Sequence, residues 1–212
     1  DATMALLGFA GELIERKKAK PGEDLVTDLV EVGEDVVSAG WIVGFVFTMV
    51  TGGNDTMTGM LGGSAELLTD RRDQRRLLLD HPELLTDAVE ELLRLTSPVQ
   101  NLARTTTRDI EIRGVSIPAG EKVLLLYGSA NRDERAFGDD AGECDVRRNI
   151  DKMLSLGYGA HHCLGASAAR LQARVALGRL LERFPDFEVD AAAGRFAPGG
   201  FVRRYESLPF TT

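Results

Sequence analysis

Residues 156–165 read Leu156-Gly157-Tyr158-Gly159-Ala160-His161-His162-Cys163-Leu164-Gly165, and they run directly into Ala166-Ser167-Ala168-Ala169-Arg170. One cysteine stands among three glycines, immediately ahead of an alanine-rich stretch of helix formers. Glycines take up positive φ and let backbone approach a bulky planar group. A sulfur at the start of a helix lies at the positive end of the macrodipole. Backbone amides turned inward and that dipole together favour thiolate over thiol.

A thiolate framed in this way, on a loop able to lie beneath a flat macrocycle, fits an axial ligand of haem iron. Blander readings compete with it. A lone buried cysteine usually serves as a small hydrophobe, and three glycines with a cysteine also suit an ordinary loop before a helix. The dinucleotide fingerprint G-x-G-x-x-G fails, because His162 stands where its third glycine belongs. Zinc fits poorly, since His161, His162 and Cys163 are consecutive and not spaced to converge on one ion. The structural-loop reading stays open until the rest of the chain is considered.

The length, 212 residues, suits one domain or part of a larger one. An apolar content of 43% with 27% charged residues describes a chain that folds around a core. The net charge of −8 argues against a general nucleic-acid binder, which shows a basic face. Any acidic partner must therefore meet a local basic cluster. Cys144 and Cys163 are the only cysteines and do not suggest a disulfide framework, so a reducing cytoplasm is the expected location. An apolar start that leads into the charges of residues 15–20 is the wrong order for a secretory signal. Residues 36–53 carry no charge and are almost long enough to span a bilayer. Ser38, Thr48, Thr51 and four glycines within them, followed by Asn54 and Asp55, make a buried core helix the expectation and a membrane partner not.

Periodicity predicts a helix over residues 2–18, a break at Pro21 and Gly22, and a short amphipathic helix over 23–30. One long helix is expected from about Glu34 to Leu68, although it contains Gly40, Gly44, Gly52, Gly53, Gly59, Gly62 and Gly63. Each glycine costs roughly 1 kcal/mol against alanine, so something must need the space. A short helix through Leu79, a helix starting at His81-Pro82, and strands over 102–106, 110–112, 115–117 and 122–127 follow. A helix over 164–184 completes the reading. There are no internal repeats.

The cysteine loop resembles the haem-binding loop of the cytochrome P-450 superfamily, F-G-x-G-x-H-x-C-x-G. Every specified position agrees except the first, where Leu156 replaces phenylalanine and bears on the packing beneath the sulfur. The resemblance implies haem b with the Cys163 thiolate as axial ligand to iron. Leu156, Gly157 and Gly165 would lie around the cofactor, with His161 and Arg104 as donors to its propionates. Residues 52–56, Gly52-Gly53-Asn54-Asp55-Thr56, resemble the oxygen-binding groove A/G-G-x-D/E-T-T/S, with Met57 departing at the last position. In that family the helix widens at this point, bringing Gly52 and Gly53 to the cofactor, while the acid and the alcohol, here Asp55 and Thr56, deliver protons. Glu91 and Arg94, three residues apart on one helix face, resemble the family's E-x-x-R pair. Arg148 aligns with the second arginine of that buried structural network.

The resemblance extends over essentially the whole chain and implies a mainly α fold with small β-sheets, in which residues 201–209 look like the family's final hairpin. Residues 1–212 would then form the C-terminal half of a single haem-thiolate monooxygenase domain, with the N-terminal half absent from this chain. The implied activity is insertion of one oxygen atom of O2 into an apolar small-molecule substrate, with electrons from ferredoxin and ferredoxin reductase. Lys152, Arg170 and Arg174 flank the cysteine loop and form the expected docking patch for an acidic ferredoxin. A peroxide-driven hydroxylase is a rival within enzymes. A truncated, non-catalytic fragment that self-associates is a rival outside them. In that case the apolar face carrying Trp41, Phe45 and Phe47 needs cover from the missing N-terminal half or from a second copy.

Overall fold

Asp1 accepts a hydrogen bond from the Thr3 amide (2.9 Å) and caps α1, Ala2–Ala19, in a computed structural model that describes every residue from Asp1 to Thr212. Arg16, Lys17 and Lys18 in its last turn suit the negative end of the dipole. After the Pro21 break, Asp24 accepts from the Val26 and Thr27 amides (3.1 Å each) and starts α2, Leu25–Glu31. Gly33 takes a left-handed φ of 94°, and its carbonyl accepts from Val36 and Val37. That turn delays the next helix. The Ser38 hydroxyl receives the Trp41 amide at 3.2 Å, and α3 runs from Ala39 to Asp70, starting later than periodicity predicts.

Two compact units divide the chain, Asp1–Asn54 and Asp55–Thr212. In the first, Ala10 and Ile14 of α1 and Ile42 and Val46 of α3 form a small core, with Leu13, Val26, Leu29 and Val43 packed around it. Trp41 stacks on Phe45 with ring centroids 5.7 Å apart and is 55% exposed, an unusual state for the only tryptophan. Val36 and Val50 are exposed as well. No helix of the chain is long and apolar enough to cross a membrane.

In the second unit, α4, Arg72–Asp80, leads through a tight turn at Pro82–Leu84 into α5, Leu85–Thr96. Ala88, Leu92 and Leu95 recur at i, i+4 and i+7 along α5 and are buried. Ser97 ends the helix in a left-handed conformation (φ 36°), with its hydroxyl bonded to the Arg94 carbonyl at 2.7 Å. β1, Leu102–Thr105, then β2, Ile110–Ile112, β3, Val115–Ile117, and β4, Lys122–Leu125, form two antiparallel pairs, β1 with β4 and β2 with β3. Arg113 and Gly114 both have positive φ, as the two-residue turn between β2 and β3 requires.

Tyr127 was expected to end a strand. It instead starts α6, Tyr127–Ala130, which is followed by α7, Glu134–Phe137, and by the irregular segment ahead of the cysteine. α8, Ala166–Arg183, buries Ala166, Ala173, Leu177 and Leu181 along one stripe and packs on α5. The main core joins Met60 and Leu68 of α3 to Leu78, Leu92, Leu177 and Phe187. The tail forms β5, Glu188–Val189, β6, Arg195–Phe196, β7, Tyr205–Ser207, and β8, Phe210–Thr211. The expected hairpin over 201–209 is corrected here. β7 pairs back with β6 and β8 with β5, because Pro209, which has no amide to donate, divides the two strands.

Gly62 apart, the glycines of α3 divide into two groups. A Cβ on Gly59 would run into the carbonyl of Arg203, and one on Gly63 would lie 2.8 Å from Thr96 Cγ2. These two positions admit the tail segment and the end of α5 to the helix surface. A Cβ on Gly40, Gly44, Gly52 or Gly53 would meet nothing within 4 Å in this chain.

Candidate active site

Gly157 and Gly159 hold φ of 72° and 66°, which favour glycine, and a Cβ on Gly157 would lie 2.9 Å from the His161 carbonyl. A turn of 3-10 helix, Gly159–His161, brings the chain back so that the Cys163 amide donates to Leu156 O at 2.8 Å. The His162 amide donates to Gly159 O at 3.0 Å. These two amides are therefore spent on the loop itself and not on the sulfur, which refines the inward-amide expectation. Gly165 is the cap residue of α8, and a Cβ there would stand 3.8 Å from Cys163 Sγ. Leu156 is buried in the main core, so the replacement for the expected phenylalanine supports the loop from beneath.

The two cysteines differ in kind. Cys163 is exposed, whereas Cys144 is buried and its thiol is pushed up to about 12 by desolvation and then by the charge of Glu91. Only Cys163 can present sulfur to a ligand.

Arg104 from β1 and His161 from the loop line one cavity of about 400 Å3, together with Leu125, Leu126, Leu154 and Tyr158. The Arg104 guanidinium donates to Ala103 O at 3.0 Å, within its own strand. A guanidinium and an imidazole over leucines suit a ligand that is apolar in its body and carries carboxylates at its edge. With an exposed sulfur on the same loop as His161, this donor set fits haem.

Asp55 and Thr56 lie on α3 within the second unit. Asp55 Oδ1 is 3.1 Å from Nε of Arg204, a partner that spacing rules do not reveal. The widened turn expected at Gly52 and Gly53 is not found, since α3 is α-helical without interruption from Ala39 to Asp70. The Thr48 and Thr51 hydroxyls bond carbonyls one turn back, Gly44 O and Phe47 O, at 2.8 Å each. Gly52 and Gly53 are exposed.

Glu91, Arg94 and Arg148 meet. Arg94 Nε and Nη2 donate to the two Glu91 oxygens at 2.6 and 2.8 Å, and Arg148 Nε donates to Oε1 at 3.2 Å. Glu91 and Arg94 are fully buried. Arg94 also donates to Asn131 O and Ala141 O (2.6 Å each), and Arg148 to Asp140 Oδ2 at 3.0 Å. The Asp145 amide adds a bond to Glu91 at 3.1 Å. Every charge is thus paired, the condition under which such a group is tolerated in a core. The network ties α5 to the irregular segment that leads to the cysteine loop.

A second buried polar tie was missed from sequence. Asn131 Nδ2 donates to Ser97 Oγ (2.7 Å) and Ser155 Oγ (2.8 Å), and its Oδ1 accepts from the Leu154 amide (2.7 Å). It fixes the entry to the loop, and nothing in the polar run 131–135 singles out Asn131 from its neighbours.

Lys152 and Arg174 are exposed, but Arg170 is held by Glu90 through two bonds of 2.6 and 2.9 Å, and its pKa is raised mainly by that carboxylate. The basic patch expected beside the loop is therefore weaker by one charge, because Glu90 neutralises its middle member.

The family model for cytochrome P450 matches residues 65–193. Cytochrome P450 130 of Mycobacterium tuberculosis is 59% identical over 214 residues, covering 99% of this chain and 53% of the relative. A steroid C26-monooxygenase of the same species (strain H37Rv) is 39% identical over 213 residues, covering 99% of this chain and 53% of the relative. Among solved structures, the ligand-free P450 monooxygenase TamI superposes with a TM-score of 0.91 at 38% identity, over 99% of this chain and 52% of that one. The chain spans about half the length of the curated relatives it matches. With the ordered motifs, the cysteine loop and this agreement along its length, the chain belongs to the cytochrome P450 family.

Proposed function

We propose that this chain supplies the thiolate-ligand half of a haem-thiolate monooxygenase acting on an apolar small molecule. The observation that carries the reading is the exposed Cys163 on the same loop as His161, which shares a cavity with Arg104. Cys163 would hold the iron through its sulfur, and Arg104 and His161 would bind the propionates. Haem held there supplies dioxygen binding and its reductive cleavage. With haem held there, the Gly157 loop would bring backbone to the ring, and Leu125 and Leu126 would offer it apolar contact. Asp55 takes a proton from solvent and passes it to the Thr56 hydroxyl, which passes its own proton inward.

Thr56→Ala tests the relay. With a steroid as probe substrate, the share of consumed oxygen released as hydrogen peroxide is expected to rise about threefold or more, since one acid–base step is worth well over tenfold in rate. An unchanged share argues for a peroxide-driven hydroxylase, in which Asp55 and Thr56 carry nothing.

Electrons come from ferredoxin and its reductase, docking at Lys152 and Arg174. Arg174→Glu is expected to slow electron transfer, with the effect fading as salt is raised. Transfer rates that ignore both salt and Arg174→Glu contradict this docking site. The exposed Trp41, Val36 and Val50 of the first unit favour cover by an N-terminal half, with a second copy of the chain as the rival.

A further inference from the structure

Asp55, Gly59, Gly62 and Glu66 recur along α3 at i, i+4, i+7 and i+11, so they share one face of the helix. All four meet the tail segment Phe201–Tyr205. Arg204 Nε stands 3.1 Å from Asp55 Oδ1, and the Arg203 carbonyl closes on Gly59. A Cβ on Gly62 would lie 3.4 Å from Tyr205 Cδ2, and Arg203 Nη2 reaches Glu66 Oε2 at 3.3 Å. Two adjacent arginines thus bracket Gly59, one pairing with the acid a turn before it and the other with the acid two turns after.

The segment is held by contacts that do not involve Asp55. The Arg203 amide donates to Pro98 O (2.8 Å), the Gln100 amide to Phe201 O (2.7 Å), and the Ala197 amide to Arg204 O (3.0 Å). The Arg203 guanidinium lies 4.6 Å from the Phe196 ring centroid. Backbone anchored on both sides therefore delivers Arg204 to Asp55. The pair is partly exposed, 29% for the Arg204 side chain and 48% for that of Asp55, and such pairs add little to folding stability. Its consequence lies in where it leaves the carboxylate.

We propose that Arg204 is a positioning residue for proton delivery: it engages Asp55 Oδ1 and leaves Oδ2 as the oxygen that takes a proton from water and hands it to Thr56. The proposal rests on the relay through Asp55 and Thr56 given above. An oxygen facing a guanidinium that never loses its charge is a poor base, so the proton enters and leaves at the other oxygen. The carboxylate returns to its ionised state after each transfer.

The test compares Arg204→Gln, Arg204→Lys, Asp55→Asn and Arg195→Gln in the haem-loaded holoprotein. Arg195 pairs with Glu206 elsewhere in the tail (2.8 Å) and serves as the control. Oxygen consumption driven by a ferredoxin and its reductase is measured in H2O and in D2O, without organic substrate. Arg204→Gln is expected to slow consumption about threefold or more and to enlarge the solvent isotope effect, within the roughly hundredfold that a misplaced group costs. Arg204→Lys, which keeps the charge and loses the planar fork, falls between it and the parent, and Arg195→Gln matches the parent. The infrared carboxylate band of Asp55, identified by its loss in Asp55→Asn, gives a readout apart from turnover, and it shifts in Arg204→Gln.

If Asp55→Asn is slow while Arg204→Gln keeps the parental rate, isotope effect and band, the relay stands and Arg204 has no part in it. If Asp55→Asn itself matches the parent, the relay reading fails and takes this proposal with it. Should Arg204→Gln not fold, Arg204→Lys decides. An intermediate rate with a shifted band supports the positioning role, and parental values overturn it.

Discussion

Glu91→Ala is expected to lower the stability of the second unit by about 3–5 kcal/mol, read as a large fall in the urea midpoint. Two guanidinium groups share this carboxylate, one of them fully buried. Removing it leaves the Arg94 charge in the core with only carbonyl partners, at Asn131, Ala141 and Glu143. A loss of that size is comparable to the whole stability of an ordinary domain. Glu90→Ala, one residue away, is the matched comparison. Its pair with Arg170 is partly exposed, so about 1 kcal/mol or less is expected. Equal effects of the two substitutions would remove the distinction between a buried network and a surface pair.

Cys163→Ala is expected to abolish the red-shifted carbon-monoxide band of the reduced haem protein while changing folding stability by about 0.5 kcal/mol or less, because the residue is exposed. Cys144→Ala crosses this result. It opens a small void in the main core and is expected to destabilise by about 1 kcal/mol, while the band persists. Its thiol, raised to about 12, stays protonated at neutral pH and offers no thiolate to iron. Survival of the band in Cys163→Ala would move the ligand elsewhere.

Helix positions and the cysteine loop were legible because they depend on local chemistry. The break at Pro21 and the turn at Arg113 and Gly114 act within a few residues of themselves, whereas the Gly33 turn that delays α3 to Ala39 was not read from the sequence. The alignment of Arg148 with Glu91 was legible only through resemblance, since the two are 57 residues apart and no spacing rule joins them. What escaped the sequence depends on partners distant along the chain. Glu90 neutralises Arg170 across 80 residues, and Asn131 finds Ser97 and Ser155 through folding alone. The pairing of the tail, β6 with β7 and β5 with β8 in place of one hairpin over 201–209, was not legible because two- and three-residue strands carry almost no register signal of their own. The glycines of α3 announced that space was needed. Only the fold assigns Gly59 and Gly63 to the tail and to Thr96.

The central claim, that Cys163 is the sulfur ligand of a haem iron, is tested most directly by iron-edge X-ray absorption on the haem-loaded protein. The account predicts one sulfur scatterer in the first shell, present in the parent and in Cys144→Ala and lost in Cys163→Ala. A first shell containing only nitrogen and oxygen in the parent would contradict it.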